Sequence, residues 1–463
     1  MVKKLSIIFF ILLISSLSYS TVTLNWDIKL ADKIRFFNVN SYSLLNKDNM
    51  LDLKYFKNNP RINTSFSVKL QPYFLYRLSL YAQFEDISNK NMAGIKEMYI
   101  KFNYLPAGIE FTSGRFYVNN STGNIFNPLN YYSRFFKPDF LYEEYDKSLP
   151  FTNVNFKYFF TFDYYSLSFE TSWMPGFKDE VNNDKFFDDK YFLYSLQNYT
   201  RRNLIQNKIT IDNFEGWTFN LLFSFIEKKA YNFTEGFYFL WGMGNTIKIY
   251  DNVKFYQEFS IKNGQERYKV EKIDNPYFPK NGKSITLKKL EDTKDRSFFI
   301  EYMAGIDILL PQDVSLIIEY FFNEKGYDID ERNEIYDGLN KMTDENGNNK
   351  SLIPMQASLL DIKNEGTKLY NFQKHYLGIQ VSKLNILEKI DLFNQLIVSL
   401  TEPSFSYKFS SYFKINNFIN INFMVNTVLG FPKTEFGLEL YNVTAELEFV
   451  FNIGIEKQFN YDK

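Results

Sequence analysis

Residues 154–173, VNFKYFFTFDYYSLSFETSW, decide how this chain folds. Val154, Phe156, Tyr158, Phe160 and Phe162 alternate with Asn155, Lys157, Thr161 and Asp163. After a tight turn at Asp163-Tyr164, Tyr165, Leu167, Phe169 and Trp173 alternate with Ser166, Ser168, Glu170 and Ser172. Side chains of a strand point to opposite faces at every step, so each half is a ribbon with one greasy and one polar side. A helix would need a period near 3.6, which is absent.

The same period recurs on both sides of this hairpin. Thr64, Phe66, Val68 and Leu70 alternate with Ser65, Ser67, Lys69 and Gln71; Leu78, Leu80, Ala82 and Phe84 with Arg77, Ser79, Gln83 and Glu85; Met98, Ile100, Phe102 and Tyr104 with Lys101 and Asn103. Composition agrees, because 19% of the 463 residues are aromatic, with 51 Phe and 35 Tyr, while 23% are charged, so apolar and polar side chains are interleaved. With 53 basic against 54 acidic residues, no electrostatic footprint for a nucleic-acid partner exists. No cysteine is present and His375 is the single histidine, which excludes disulfides, thiolate metal sites and cysteine nucleophiles.

The N-terminus points to export. Lys3 and Lys4 precede an apolar run from Leu5 to Ile14, broken only by Ser6, and Ser18-Tyr19-Ser20 supplies small residues for signal-peptide cleavage after Ser20. A retained anchor would need ~20 apolar residues. No cysteine follows the run, so it is not a lipoprotein signal. The expected organisation is a signal peptide at residues 1–20 and a single domain at 21–463.

Connections between the alternating segments are of two kinds. Residues 105–108, 163–164, 213–216, 251–252, 311–313 and 416–417 are short, whereas 119–150, 177–203, 262–294 and 323–373 are long and polar. Outer-membrane barrels sort their connections this way, with short periplasmic turns and long outer loops. The expectation is an all-β, transmembrane antiparallel β-barrel of about eighteen strands, within a range of about sixteen to twenty, in the outer membrane of a diderm bacterium. Residues 32–60 do not resolve into strand or loop, and the alternation of long and short connections fails to close near residues 430–444.

Two segments carry a family likeness. Ala445, Leu447, Phe449, Phe451, Ile453, Ile455 and Phe459 keep one phase, which resembles the aromatic-ended last strand of outer-membrane proteins, although residues 460–463 trail beyond it. The run GRFYVNNSTGNIFNPLNYYS, residues 114–133, followed by FFKPDF at 135–140, resembles a signature of porin-like outer-membrane barrels in which a strand ending in Gly-Arg leads into an Asn-Pro-Leu loop. Gly114, Arg115, Gly123, Asn127, Pro128 and Leu129 match; Asn130 replaces the usual Asp and the Trp before the glycine is missing.

That loop is the expected seat of function. Residues 119–150 carry Phe126, Tyr131, Tyr132, Phe135, Phe136, Phe140, Tyr142 and Tyr145, too many rings for a loop that only meets solvent. The expectation is a loop folded inward to narrow a pore, with Arg115, Asn127, Tyr131 and Tyr132 at the constriction; the alternative is a loop core packed under the rim. Lys69, Arg77, Glu85, Lys101, Lys157 and Glu170 fall on the polar phase and are expected to face a wet lumen of mixed sign with weak charge selectivity. Arg201-Arg202 reads as a solvated rim pair.

No catalytic, metal or cofactor site is expected. His375 has no serine or aspartate arrangement beside it. Asp344, Asn346 and Asn348 have calcium-loop spacing, but Gly347 is misplaced and Met355 stands where a bidentate Glu belongs; Asp328 to Glu334 with Asp337 is an acidic, solvated run. The expected function is passive diffusion of small hydrophilic solutes, with a non-conducting barrel displaying outer loops for adhesion or ligand binding as the alternative. An energised receptor would need a plug of well over a hundred residues before the first strand, whereas clear alternation begins at Val22 or at latest Thr64. Expected partners are outer-membrane lipids, small solutes, periplasmic chaperones and the barrel-assembly machinery; a homo-oligomer stays open.

Overall fold

The computed structural model describes residues 21–39, 55–71, 74–85, 90–105, 108–116, 120, 122–129, 151–175, 203–213, 215–227, 237–263, 267–274, 283–290, 298–324, 326–327, 329–333, 337, 373–431 and 441–459. The strands are β1 Thr21–Val39, β2 Phe56–Gln71, β3 Phe74–Glu85, β4 Lys90–Leu105, β5 Ile109–Phe116, β6 Phe151–Thr161 and β7 Tyr165–Met174. They continue with β8 Leu204–Asn213, β9 Trp217–Glu227, β10 Phe237–Tyr250, β11 Val253–Lys262, β12 Arg267–Asp274 and β13 Lys283–Leu290. The last are β14 Phe299–Leu310, β15 Val314–Asn323, β16 His375–Ile386, β17 Ile390–Ser399, β18 Ser404–Lys414, β19 Ile419–Gly430 and β20 Tyr441–Phe459.

Eighteen of these strands form one antiparallel sheet in which sequence neighbours are hydrogen-bonded neighbours, with β11 pairing directly to β14. The sheet closes on itself, because β1 pairs with β20 from Val22 opposite Phe459 to Val39 opposite Tyr441. Closure removes the free sheet edges that a membrane would not tolerate. β12 and β13 pair only with each other, as a separate hairpin within the long connection 263–298.

The termini settle the parity that did not close in the sequence. Val22 and Phe459 lie side by side, at the same end of the barrel as the short β2–β3, β4–β5, β6–β7 and β8–β9 turns. Residues 441–459 are one continuous strand of 19 residues, so the connection 431–440 belongs with the long loops. The ambiguous stretch 32–60 is divided: Asp32 to Val39 finish β1 and Phe56 to Pro60 open β2. Pro60 is accommodated because β2 has outrun β3 there; pairing with β3 begins at Arg61 opposite Gln83.

Side-chain phase separates the two surfaces. Trp26, Leu30, Phe66, Leu80, Met98, Phe156, Phe169, Trp173, Phe223 and Ile455 are all exposed on the outer face, where they form an apolar band. On this face Trp26 Nε1 donates to Thr64 Oγ1 of the neighbouring strand at 2.9 Å. The opposite phase is polar and covered: Thr23, Ser79, Glu97, Asn155, Ser168, Ser172, Gln206, Asn220, Glu258 and Glu319 are buried inside the ring. Rings gather at the short-turn end, with Phe162, Tyr164, Tyr165, Tyr250 and Phe418 exposed, as the aromatic girdle of a membrane barrel requires.

Candidate functional site

Inside the barrel, Asn120 and residues 122–129, which follow β5 in the chain, lie against the inner wall. A chain segment without secondary structure brings unpaired backbone N–H groups, and these need acceptors wherever water is excluded. Two fully buried glutamates on the wall supply them. Glu319 of β15 accepts the backbone N–H of Asn124 at 2.7 Å, of Ile125 at 3.0 Å and of Phe126 at 2.7 Å, and the Tyr256 hydroxyl at 2.6 Å. Glu258 of β11 accepts the backbone N–H of Thr122, its hydroxyl at 2.8 Å, and the N–H of Leu129 at 3.4 Å. Asn120 donates from Nδ2 to Gln206 Oε1 on β8 at 3.2 Å. Each carboxylate thus has the several charge-assisted donors that make a buried charge tolerable.

Apolar side chains of the segment complete the anchorage. Ile125, Phe126 and Leu129 are each 1% exposed. Phe126 stacks on Phe321 with ring centroids 5.0 Å apart and 12° between planes, and Tyr376 flanks it at 6.1 Å. Ile125 and Phe126 share a cluster with Tyr256, Met303, Ile317, Phe321, Tyr376 and Ile397; Leu129 packs with Met174, Leu204, Leu222, Ile226 and Leu240. Glycines on the wall make the room. A Cβ on Gly378 would lie 2.8 Å from Ile125 Cδ1 and 2.9 Å from Phe126 Cε2, and one on Gly242 would overlap Leu129 Cδ2. The close approach of a second backbone explains glycine at such strand positions.

The inner segment therefore covers the wall of β8–β11 and β14–β17. The β3–β5 wall keeps its charges accessible: Arg77 is 46% exposed and bonded to Glu97 at 3.0 Å, and Lys101, 34% exposed, meets Glu110 at 3.4 Å. Further round, Lys33 and Arg35 of β1 converge on Glu446 of β20 at 2.7 and 3.2 Å.

Asn127 lies in the inner segment and is partly covered. Arg115 differs from its expected place: its register partners are Met98 and Thr152, on the phase of the exposed Met98, while its neighbour Phe116 packs on the inward Leu129 cluster. Gly114 takes φ +130 without a slip in register, so the alternation carries through that point. Tyr131, Tyr132, residues 1–20, Arg201-Arg202 and the loop 344–355 lie outside the described residues, as does the side chain of Glu85, whose backbone pairs with Lys90. Lys69 pairs in register with the buried Thr23, and Lys157 and Glu170 are directly opposite on β6 and β7. His375 shares register with Phe322, and its Nδ1 lies 2.7 Å from the Tyr320 hydroxyl, in a cluster of rings. Among the described residues no group of three or more His, Asp or Glu gathers to hold a metal.

Glu258, Glu319 and the wall glycines were not singled out by sequence reasoning. Glycine at 242 and 244, alternate positions of one strand, was the available signal, since both point to the same face.

No protein-family profile and no curated protein matches the sequence. Among solved structures, OccAB3 of Acinetobacter baumannii is similar with a TM-score of 0.50 and 8% identity, over 94% of this chain and 99% of that one. OccK5 (OpdH) of Pseudomonas aeruginosa gives a TM-score of 0.50 and 6% identity, over 94% and 98%. At these identities the likeness is one of fold.

Proposed function

We propose that this chain is an outer-membrane, porin-like channel through which small hydrophilic solutes diffuse passively, with residues 120–129 as its constriction. The observation that carries this reading is the anchorage of that segment to Glu258 and Glu319 inside the barrel. A barrel that served only to display outer loops would have no use for a segment clamped within its lumen. The apolar outer band, the polar inner phase and the closed ring supply the rest of a membrane pore. The inner segment carries no charged side chain between Thr122 and Leu129, and its two acidic partners are engaged by backbone donors, so no acidic loop faces a basic wall. Weak charge selectivity follows.

Planar-bilayer recording of the refolded protein tests the reading. Stable ohmic steps with a reversal potential near zero in a KCl gradient are expected. A folded, heat-modifiable barrel that never conducts would overturn it and favour the display alternative.

A further inference from the structure

The inner wall of β4–β8 carries a belt that neither the constriction nor the clamp uses. Glu110 on β5 is opposite Lys157 on β6, Lys157 opposite Glu170 on β7, and Glu170 opposite Lys208 on β8; Lys101 of β4 closes the row by bonding Glu110 at 3.4 Å. Charge alternates strand by strand, three lysines with two glutamates between them. Gln206, one inward position from Lys208, receives Asn120, so the row lies directly beside the start of the inner segment.

Opposed charges this close ordinarily collapse into ion pairs, yet among the described residues only Lys101 and Glu110 do so in this row. Glu170 accepts Asn155 Nδ2 at 2.5 Å, one inward step away from the short-turn end. Lys157 lies over the Phe159 ring, 4.5 Å from its centroid, one inward step toward the short-turn end. The two side chains are drawn apart along the barrel axis. Their charges remain unneutralised by one another on the lumen wall.

An alternating array acts selectively on what passes it. Its sign repeats every two strand spacings, about 9.6 Å, so its field falls away within a fraction of that repeat and a simple ion in mid-lumen meets little of it. A solute touching the wall with one charge meets the wrong sign on the next strand. A solute with both signs, spread over more than the ~5 Å of one strand spacing, meets a complementary pair on adjacent strands. From this geometry we infer that Lys157 and Glu170 form a recognition site for zwitterionic solutes whose ammonium and carboxylate are separated by more than one strand spacing, since the two heads diverge along the axis as well as across it. Lys157 takes the carboxylate and Glu170 the ammonium. The inference rests on the channel reading and names the solute class of the same lumen.

The test uses the full chain folded in detergent and, in parallel, in planar bilayers. Saturation-transfer NMR compares 6-aminohexanoate, whose charges span more than one strand spacing, with 2-aminohexanoate, whose charges are adjacent, and with hexanoate. Binding of 6-aminohexanoate is expected to be about fivefold tighter than either, the scale of one solvent-screened charge contact. Glu170→Gln and Lys157→Gln are each expected to abolish that preference, and Glu170→Gln to move the KCl reversal potential toward anions. Equal binding of the three probes, or a preference that survives both substitutions, would overturn the inference. Preferential binding by a barrel that passes no current would instead overturn the channel reading alone.

Discussion

Replacing Glu319 by alanine removes the acceptor of three successive backbone N–H groups and of the Tyr256 hydroxyl. Hydrogen bonds to a charged group contribute ~1.5–3 kcal/mol each, so the inner segment loses its principal tether while the barrel ladders are untouched. Single-channel recordings of Glu319→Ala are expected to show larger, noisier steps with heat-modifiability unchanged; Glu319→Gln, which keeps one acceptor oxygen, should be intermediate. The wall glycines offer a steric counterpart. Gly378→Val is expected to displace Ile125 and Phe126 and raise the protease sensitivity of the segment, whereas Gly454→Ala, whose Cβ would sit 3.1 Å from Asp27 Oδ1, should leave it protected. At this scale the sequence was only partly legible. The density of rings in 119–150 singled out the loop, and Asn127 with it. Glu319 looks like any polar residue on an alternating strand, and its partner Phe126 is 193 positions away in the chain. Arg115 was assigned by its motif, while the register of β5 decides which way it faces.

At the scale of elements, alternation was a reliable guide where one face meets apolar surroundings and the other water. β6 and β7 begin and end close to where VNFKYFFTF and YSLSFETSW put them, because a one-residue slip would turn Phe156, Tyr158, Phe160, Phe169 and Trp173 inward. It failed where that contrast is missing. β12 and β13, RYKVEKID and KSITLKKL, have charge at both alternating phases and fall within the polar stretch 262–294 expected as a loop; they form a hairpin apart from the barrel. The first strand was cut short at Asp32, since neither that carboxylate nor Pro60 announces a strand. Turns make their own prediction. At the β10–β11 turn Lys248 lies 2.7 Å from Asp251, and its hydrogen bond and charge hold that carboxyl below its ordinary value. A depressed folded value stabilises the fold above the ordinary carboxylate pKa of ~3.9, and the contribution is lost as pH falls through the lowered one. Asp251 is fully exposed, so the contribution is slight; Asp251→Asn is expected to leave the denaturant midpoint at pH 7 unchanged and to remove one sub-ordinary carboxyl titration from the NMR spectrum.

At the scale of the molecule, strand number and closure were legible from arithmetic on strand length and the alternation of long and short connections. The seam was not, because pairing of β1 with β20 joins the two ends of the chain, and no local pattern encodes it. The same holds for the lumen: part of its wall is covered by a segment that follows β5 in the chain and is received by β8, β11, β15 and β16. In the proposed channel this segment is the constriction of a conducting barrel. The most direct test is the single-channel conductance of residues 21–463 in a planar bilayer, beside the same chain lacking residues 119–150. Ohmic steps that grow on removal of the segment are predicted. Equal steps from both proteins would contradict its role as the constriction, and folded barrels that pass no current in either form would contradict the channel itself.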